Sequence, residues 1–418
     1  MPLDCREMIL SNNYYDAITD YPVWALEGLQ EDICHLNIDN LYNALYFERS
    51  LLRDVQDYFF SYRSVPKLFG LMQEGGGIGG FDPNSLIASG ITQVQRAPLS
   101  LTGRGVVICF IDTGIDYTSP VFRREDGSSR ILAIWDQTIQ TGTPPQGFQY
   151  GTEYKKEDID AALGAEDPYS IVPSRDEIGH GSSLASAAAG SQLNGGYGFQ
   201  SAAPDADIVV VKLKECKPYL REFFMVPRGV PAYQENDIMM AVQYANTFAE
   251  PLSRPVVICI GMGTNYGDHT GSGPLGRYLN AIAVKRSRAV VVAGGNEGNA
   301  AHHYSGRMDN LGGGGENVDP VEVRVDSGAE GFFLELWGSL PDVFTISVRT
   351  PGGETIPSVR LGLQDVVTYS FVYERTKVSV AGYIVEPASG EELIVLRVQD
   401  PTPGIWTFRV EAAGEIHN

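Results

Sequence analysis

Four nearly uninterrupted apolar runs constrain this chain more than any other feature. They are Gly105-Val-Val-Ile-Cys-Phe-Ile111, Ala206-Asp-Ile-Val-Val-Val-Lys212, Pro255-Val-Val-Ile-Cys-Ile260 and Arg288-Ala-Val-Val-Val-Ala293. Each is too short for an ordinary helix and lacks the alternation of a strand with one wet face. Runs of this kind suit strands buried on both faces. Between them the spacing turns helical, with Ile238, Ala241, Val242 and Ala245 on one face of a segment from Asp237 to Glu250. Strand, helix, strand in repetition predicts an α/β fold, a parallel sheet with helices on both sides, over residues 81–320.

The flanks read differently, as 418 residues exceed one ordinary core. Residues 1–80 form a separate region. Asn43 to Glu48 is strand-like, Leu51 to Tyr58 carries a short amphipathic helical pattern, and the proline holds Ser64-Val-Pro-Lys-Leu-Phe-Gly-Leu71 extended. The glycine-rich run Glu74 to Gly80 marks a boundary. Residues 321–418 carry short strand patterns at Phe332–Trp337, Val343–Val348, Lys377–Ala381, Leu393–Val398 and Ile405–Val410. Turns such as Pro351-Gly-Gly353 separate them, and an all-β sandwich is expected.

Charge excludes some partners. A net charge of -21, from 52 acidic and 31 basic residues, argues against nucleic acid or an anionic membrane as partner. No apolar run approaches the roughly 20 residues that span a bilayer. No apolar stretch follows the first residues, Met1 to Glu7, so no signal peptide is expected. The five cysteines show no CxxC spacing, and Cys109 and Cys259 fall inside strand runs as small hydrophobes. Neither a disulfide framework nor a zinc site is expected, and a reducing compartment suits the pattern.

Three patches carry chemistry. In Phe110-Ile-Asp-Thr-Gly-Ile-Asp116 an acid closes a predicted buried strand, where open α/β sheets build active sites. Asp-Thr-Gly also fits an aspartic protease, but that chemistry needs two such loops, hence a homodimer. In Ile178-Gly-His-Gly-Ser-Ser-Leu-Ala-Ser-Ala-Ala-Ala-Gly190 a histidine flanked by glycines opens a helix of small residues. Asp first and His second is one of the known chain orders of a serine triad. In Val292-Ala-Gly-Gly-Asn-Glu-Gly298 an asparagine follows a strand in a glycine-rich loop. It either closes a turn or donates to an oxyanion.

Together these patches resemble the subtilase family of serine proteases, with its D-T-G, H-G-T and G-N-x-G motifs, over residues 81–305. The resemblance implies Asp112 as orienting acid, His180 as general base and Asn296 as oxyanion donor. It implies that Gly261, Met262 and Gly263 form the edge strand that binds substrate backbone and borders the S1 pocket. Ser182 stands where threonine is usual. A narrower likeness links the N-terminal region, Ser64-Val-Pro-Lys-Leu68 and the late β-segment to the clostridial Csp germination proteases. It implies a jelly-roll insert, a prodomain whose tail occupies the substrate cleft, and self-cleavage between residues 66 and 96. It also implies a protein substrate processed during spore germination, and a cytoplasmic or spore-associated location.

The family's nucleophile lies in G-T-S-x-A, and that pattern is absent from the 418 residues. The expectation is a sequence that stops short of the serine and is inactive by itself. A catalytically inactive binding relative is the alternative, since the Csp group includes such proteins. No cofactor is expected. Asp82, Asp116 and Asp136 are candidate ligands for a structural calcium, although no loop has calcium spacing. His302 and His303 are adjacent and are expected to point apart, while His269 and His35 have no evident partners. Lys155 to Asp160 reads as a solvated helix start.

Overall fold

A computed structural model describes residues 5–21, 33–51, 62–71, 84–191, 201–308, 318–359, 366–414 and 416. The chain begins with a small unit in which α1 (Cys5–Leu10) packs on a three-stranded antiparallel sheet. Its strands are β1 (Tyr14–Thr19), β2 (Ile33–Ile38) and β3 (Tyr42–Glu48), in the order β1-β3-β2. A disulfide joins Cys5 of α1 to Cys34 of β2, contrary to the expectation of none. The two cysteines lie 29 residues apart, and it is the packing of the helix on the sheet that brings them together. The buried Lys217 ammonium pairs with the buried Asp16 carboxylate and ties this unit to the body. Of the helix expected over Leu51 to Tyr58, residues 52–58 lie outside the described residues, as does the glycine run 74–80.

After β4 (Leu68–Leu71) come two short helices, α2 (Asn84–Ala88) and α3 (Ile91–Gln95), and then the central sheet. Its first strands are β5 (Val107–Asp112), β6 (Ile131–Asp136) and β7 (Thr152–Lys155), followed by α4 (Lys156–Leu163) and α5 (His180–Ala189). Next are β8 (Asp207–Lys212), α6 (Pro218–Phe223), the two-residue β9 (Tyr233–Gln234) and α7 (Glu235–Ala249). The series closes with β10 (Val256–Ile260), the two-residue β11 (Met262–Gly263), α8 (Pro274–Ala283) and β12 (Arg288–Val292). The six-stranded order is β12-β10-β5-β8-β6-β7, parallel throughout except for β7.

Strand β5 is first in the sheet's sequence yet central in space. On one side β6 and β7 are laid down first and β8 is then inserted between β5 and β6, and on the other side β10 and β12 are added in turn. The reversal leaves a crevice at the carboxyl end of β5, where Asp112 sits. Period-two geometry explains why β5 is apolar throughout. Val107, Cys109 and Ile111 pack with Ile238, Ala241 and Ala245 of α7, whereas Ile108 and Phe110 pack with Ala185 and Ala189 of α5. The run ending in β12 departs from its expected burial: Val291 is 50% and Val292 56% exposed. Among the described residues β12 pairs on one side only, with β10.

Eight strands follow: β13 (Val318–Val325), β14 (Gly331–Gly338), β15 (Phe344–Arg349), β16 (Thr355–Val359), β17 (Val366–Ser370), β18 (Lys377–Tyr383), β19 (Glu392–Gln399) and β20 (Gly404–Ala412). They form two antiparallel sheets, β13-β20-β15-β16 and β14-β19-β18-β17. Ile346, Val348, Phe408, Val380 and Leu396 from both sheets share one core. The other face of β19 packs Leu393 and Val395 against Tyr62 and Phe223, and the Arg397 Nε donates to the Phe223 carbonyl at 2.8 Å. Among the described residues no helix is long and apolar enough to cross a membrane.

Candidate active site

Asp112 ends β5 with its side chain buried, and His180 opens α5. The imidazole Nδ1 and the Asp112 Oδ1 lie 2.7 Å apart, although 68 positions separate the residues in sequence. An Nδ1–H donated to the carboxylate fixes the tautomer, so that Nε2 carries the basic lone pair. Asp112 Oδ1 also accepts the Thr113 N–H at 2.7 Å.

Glycine lets these elements approach. Gly179, the residue before α5, has φ 84°, a left-handed conformation that favours glycine. Gly181 lies against the Asp112 loop, and a Cβ there would overlap the Gly114 carbonyl and come within 3.1 Å of the Asp112 Cβ. The Gly181 N–H donates to the Thr113 hydroxyl at 2.9 Å. At Ser182, the hydroxyl donates to Asp176 Oδ2 at 2.7 Å and accepts the Asp116 N–H at 2.8 Å.

Gly261 sits beside the pair, with any Cβ placed 3.1 Å from His180 Cε1. Beyond it, β11 forms one edge of a three-stranded sheet, β11-β4-β9, with β4 in the middle. Leu71 pairs with Met262 and Gly70 with Gly263, while Leu68 pairs with Gln234 and Phe69 with Tyr233. The Met262 side chain is buried in the main core. The Glu235 carboxylate accepts the Lys67 N–H and the Leu275 N–H, both at 3.0 Å. Burial raises its pKa against these bonds.

Asn296 lies on the exposed loop that follows β12. With Gly70, Leu71 and Gly263 it lines a cavity of about 1840 Å³. Its neighbour Glu297 accepts from the Asn265 amide at 2.7 Å and pairs with His302 Nδ1 at 2.8 Å. His303 turns away from His302 and meets the His269 ring edge-on, with centroids 4.9 Å apart, so His269 does have a partner. Among the described residues no group of three or more His, Cys, Asp or Glu side chains is placed to hold a metal. Asp116 and Asp136 instead accept from the hydroxyls of Thr118 and Thr138, and Asp82 lies outside the described residues.

The residue that sequence reasoning missed is Asp176. It lies four positions before His180, outside the N-cap position that Gly179 occupies, so no capping pattern in the sequence marks it.

The subtilase family model matches residues 103–317, and the chain belongs to the subtilase family. Among solved structures it is similar to the CspB protease of Clostridium perfringens, with 27% identity and a TM-score of 0.68. The match covers 81% of this chain and 66% of that chain. No curated protein matches the sequence.

Proposed function

We propose that this chain carries the acid–base half of a serine endopeptidase site, with Asp112 as orienting acid, His180 as general base and Asn296 as oxyanion donor. The observation that carries this reading is the 2.7 Å hydrogen bond between His180 Nδ1 and a fully buried carboxylate at a sheet switch point. In the reaction, Nε2 of His180 takes the proton of a serine hydroxyl as that oxygen attacks the peptide carbonyl, and returns it to the leaving amine. Asp112 holds the ring and stabilises the imidazolium. An oxyanion donor such as Asn296 contributes about 2.7–4 kcal/mol of transition-state stabilisation.

The substrate slot is the gap between β11 and β9, and the N-terminal region occupies it as a prodomain would. Residues Leu68–Leu71 lie there as the middle antiparallel strand, the backbone geometry an extended peptide substrate adopts. The substrate class is therefore protein or peptide in extended conformation. The late β-strands correspond in this reading to the jelly-roll insert of Csp proteases.

No G-T-S-x-A sequence occurs in the 418 residues, and in this reading a G-T-S-x-A segment outside them supplies the nucleophile. A fluorophosphonate probe tests this. The 418-residue polypeptide is expected to stay unlabelled, and a polypeptide joining it to a G-T-S-x-A segment is expected to label. His180→Ala in the longer form should slow labelling on the order of 10⁴-fold or more. Labelling of the longer form that survives His180→Ala overturns the reading. The hydrogen-bonded Asp112–His180 pair favours it over an inactive binding relative, which has no use for an oriented imidazole.

A further inference from the structure

We propose that Asp176 is a positioning residue that sets His180 against Asp112 by bridging the loop after β5 to the start of α5. This rests on the reading of Asp112 and His180 as an acid–base pair. The Asp176 carboxylate accepts four hydrogen bonds from two separate elements. Oδ1 takes the Thr113 hydroxyl at 2.7 Å and the Gly179 N–H at 2.8 Å. Oδ2 takes the Ser182 N–H at 2.8 Å and the Ser182 hydroxyl at 2.7 Å. Thr113 follows Asp112 directly, and Gly179 and Ser182 flank His180. The Thr113 hydroxyl completes the bridge by accepting the Gly181 N–H at 2.9 Å.

A group that only capped α5 would need Gly179 and Ser182 and nothing from β5. The bond to Thr113 is what exceeds capping. The segment bearing Asp176 is also held without help from α5. Lys212 at the end of β8 donates to the Arg175 carbonyl at 2.6 Å and to Glu177 at 2.6 Å. Ser174 donates to the buried Asp136 at 2.6 Å. The Arg175 guanidinium lies 3.6 Å from the Tyr169 ring centre. Asp176 is thus a fixed post to which both halves of the pair are tied. Burial pushes its carboxyl up, but the bonds from Ser182, Thr113 and Gly179 outweigh that and leave it below the ordinary range.

The test reads the proton shared by Asp112 and His180 directly, by low-temperature proton NMR of the full 418-residue chain. The wild type is expected to show a downfield His180 Nδ1–H resonance. Asp176→Ala removes all four acceptor bonds, and Thr113→Val removes the Thr113 hydroxyl's bonds to Asp176 and from the Gly181 N–H while leaving the Gly179 and Ser182 bonds to Asp176. In both, solvent exchange of that proton should rise roughly tenfold, about the effect of losing one hydrogen bond. Thr113→Ser should restore the wild-type rate. A merely structural bond would lower the melting temperature without moving the proton. If Asp176→Ala does not fold, Thr113→Val and Thr113→Ser decide alone. A wild-type resonance that both Thr113→Val and folded Asp176→Ala leave unchanged overturns the positioning role and spares the protease reading. Absence of the resonance in the wild type removes both.

Discussion

Gly261 and Asp112 stand so close that a methyl carbon on Gly261 would overlap the Asp112 Oδ2. The same methyl would lie 2.9 Å from Leu184 Cδ2 and 3.1 Å from His180 Cε1. Asp112 is fully buried and its Oδ1 is held by the Thr113 N–H and the His180 ring, which limits how far the carboxylate can turn away. Gly261→Ala should therefore cost about 1–3 kcal/mol of stability, as overpacked sites do. It should also lose the Nδ1–H resonance. Guanidinium unfolding and proton NMR check the two effects. A variant with wild-type midpoint and resonance would show that the backbone at 261 has room.

Much of this geometry was legible in the sequence. The apolar runs gave β5, β8 and β10 within a residue or two, because a strand buried on both faces leaves no polar position to blur the pattern. Asp112 and His180 could be read because their neighbours Gly114 and Gly181 report close backbone approach. Other features had no such signal. β7, Thr-Glu-Tyr-Lys, is a short antiparallel edge strand whose composition matches a loop. The Cys5–Cys34 pair depends on tertiary packing, and the Thr113 partner of Asp176 lies 63 positions from it in sequence. Of the segment read as extended, Leu68–Leu71 is a strand while Ser64 lies in a turn and Val65 in a bend, and the strand's seat between β9 and β11 is set by pairing that no local pattern encodes.

Acid and base should change stability through Glu392. Burial raises its carboxyl to about 7, against the bond it accepts from the Phe344 N–H at 2.8 Å. The folded value lies above the unfolded one, so between about pH 4.5 and 7 the folded chain holds a proton that the unfolded chain has lost. Stability should fall with rising pH across that window, by about 3 kcal/mol, and stay level above it. Glu392→Gln should abolish that slope. Urea unfolding midpoints of both proteins from pH 4 to 8 check this. An equal slope in Glu392→Gln assigns the dependence elsewhere.

The Cys5–Cys34 bond should matter to the N-terminal unit. It closes a loop of 29 residues in a small sheet, where a crosslink of this span contributes about 2–4 kcal/mol. Cys34→Ser should lower the melting temperature, and dithiothreitol should lower the wild type to the same value while leaving Cys34→Ser unchanged. Calorimetry with and without reductant shows this. A reductant-insensitive wild type would mean that the two thiols do not pair in solution.

Leu68 anchors the strand that fills the cleft. Its side chain is 6% exposed and packs with Tyr62, Val65, Tyr219 and Phe223, while the strand's other end pairs Leu71 with Met262. Leu68→Ala removes that anchor and leaves a cavity, a change worth about 2–5 kcal/mol for a buried leucine. The loss should be local, because β4 is two-sided but short and can detach without unfolding the central sheet. Amide exchange in a peptide covering Gly70 and Leu71 should rise at least about tenfold, with exchange in β5 and β8 unchanged. An added peptide of the sequence Ser64 to Leu71 should bind the variant more tightly than the wild type, since the slot between β9 and β11 is then open more often. If exchange rises equally in β5, Leu68 supports the whole core. If the slot opens and the peptide does not enter, β4 is no substrate mimic, and the extended-peptide reading of the cleft falls with it.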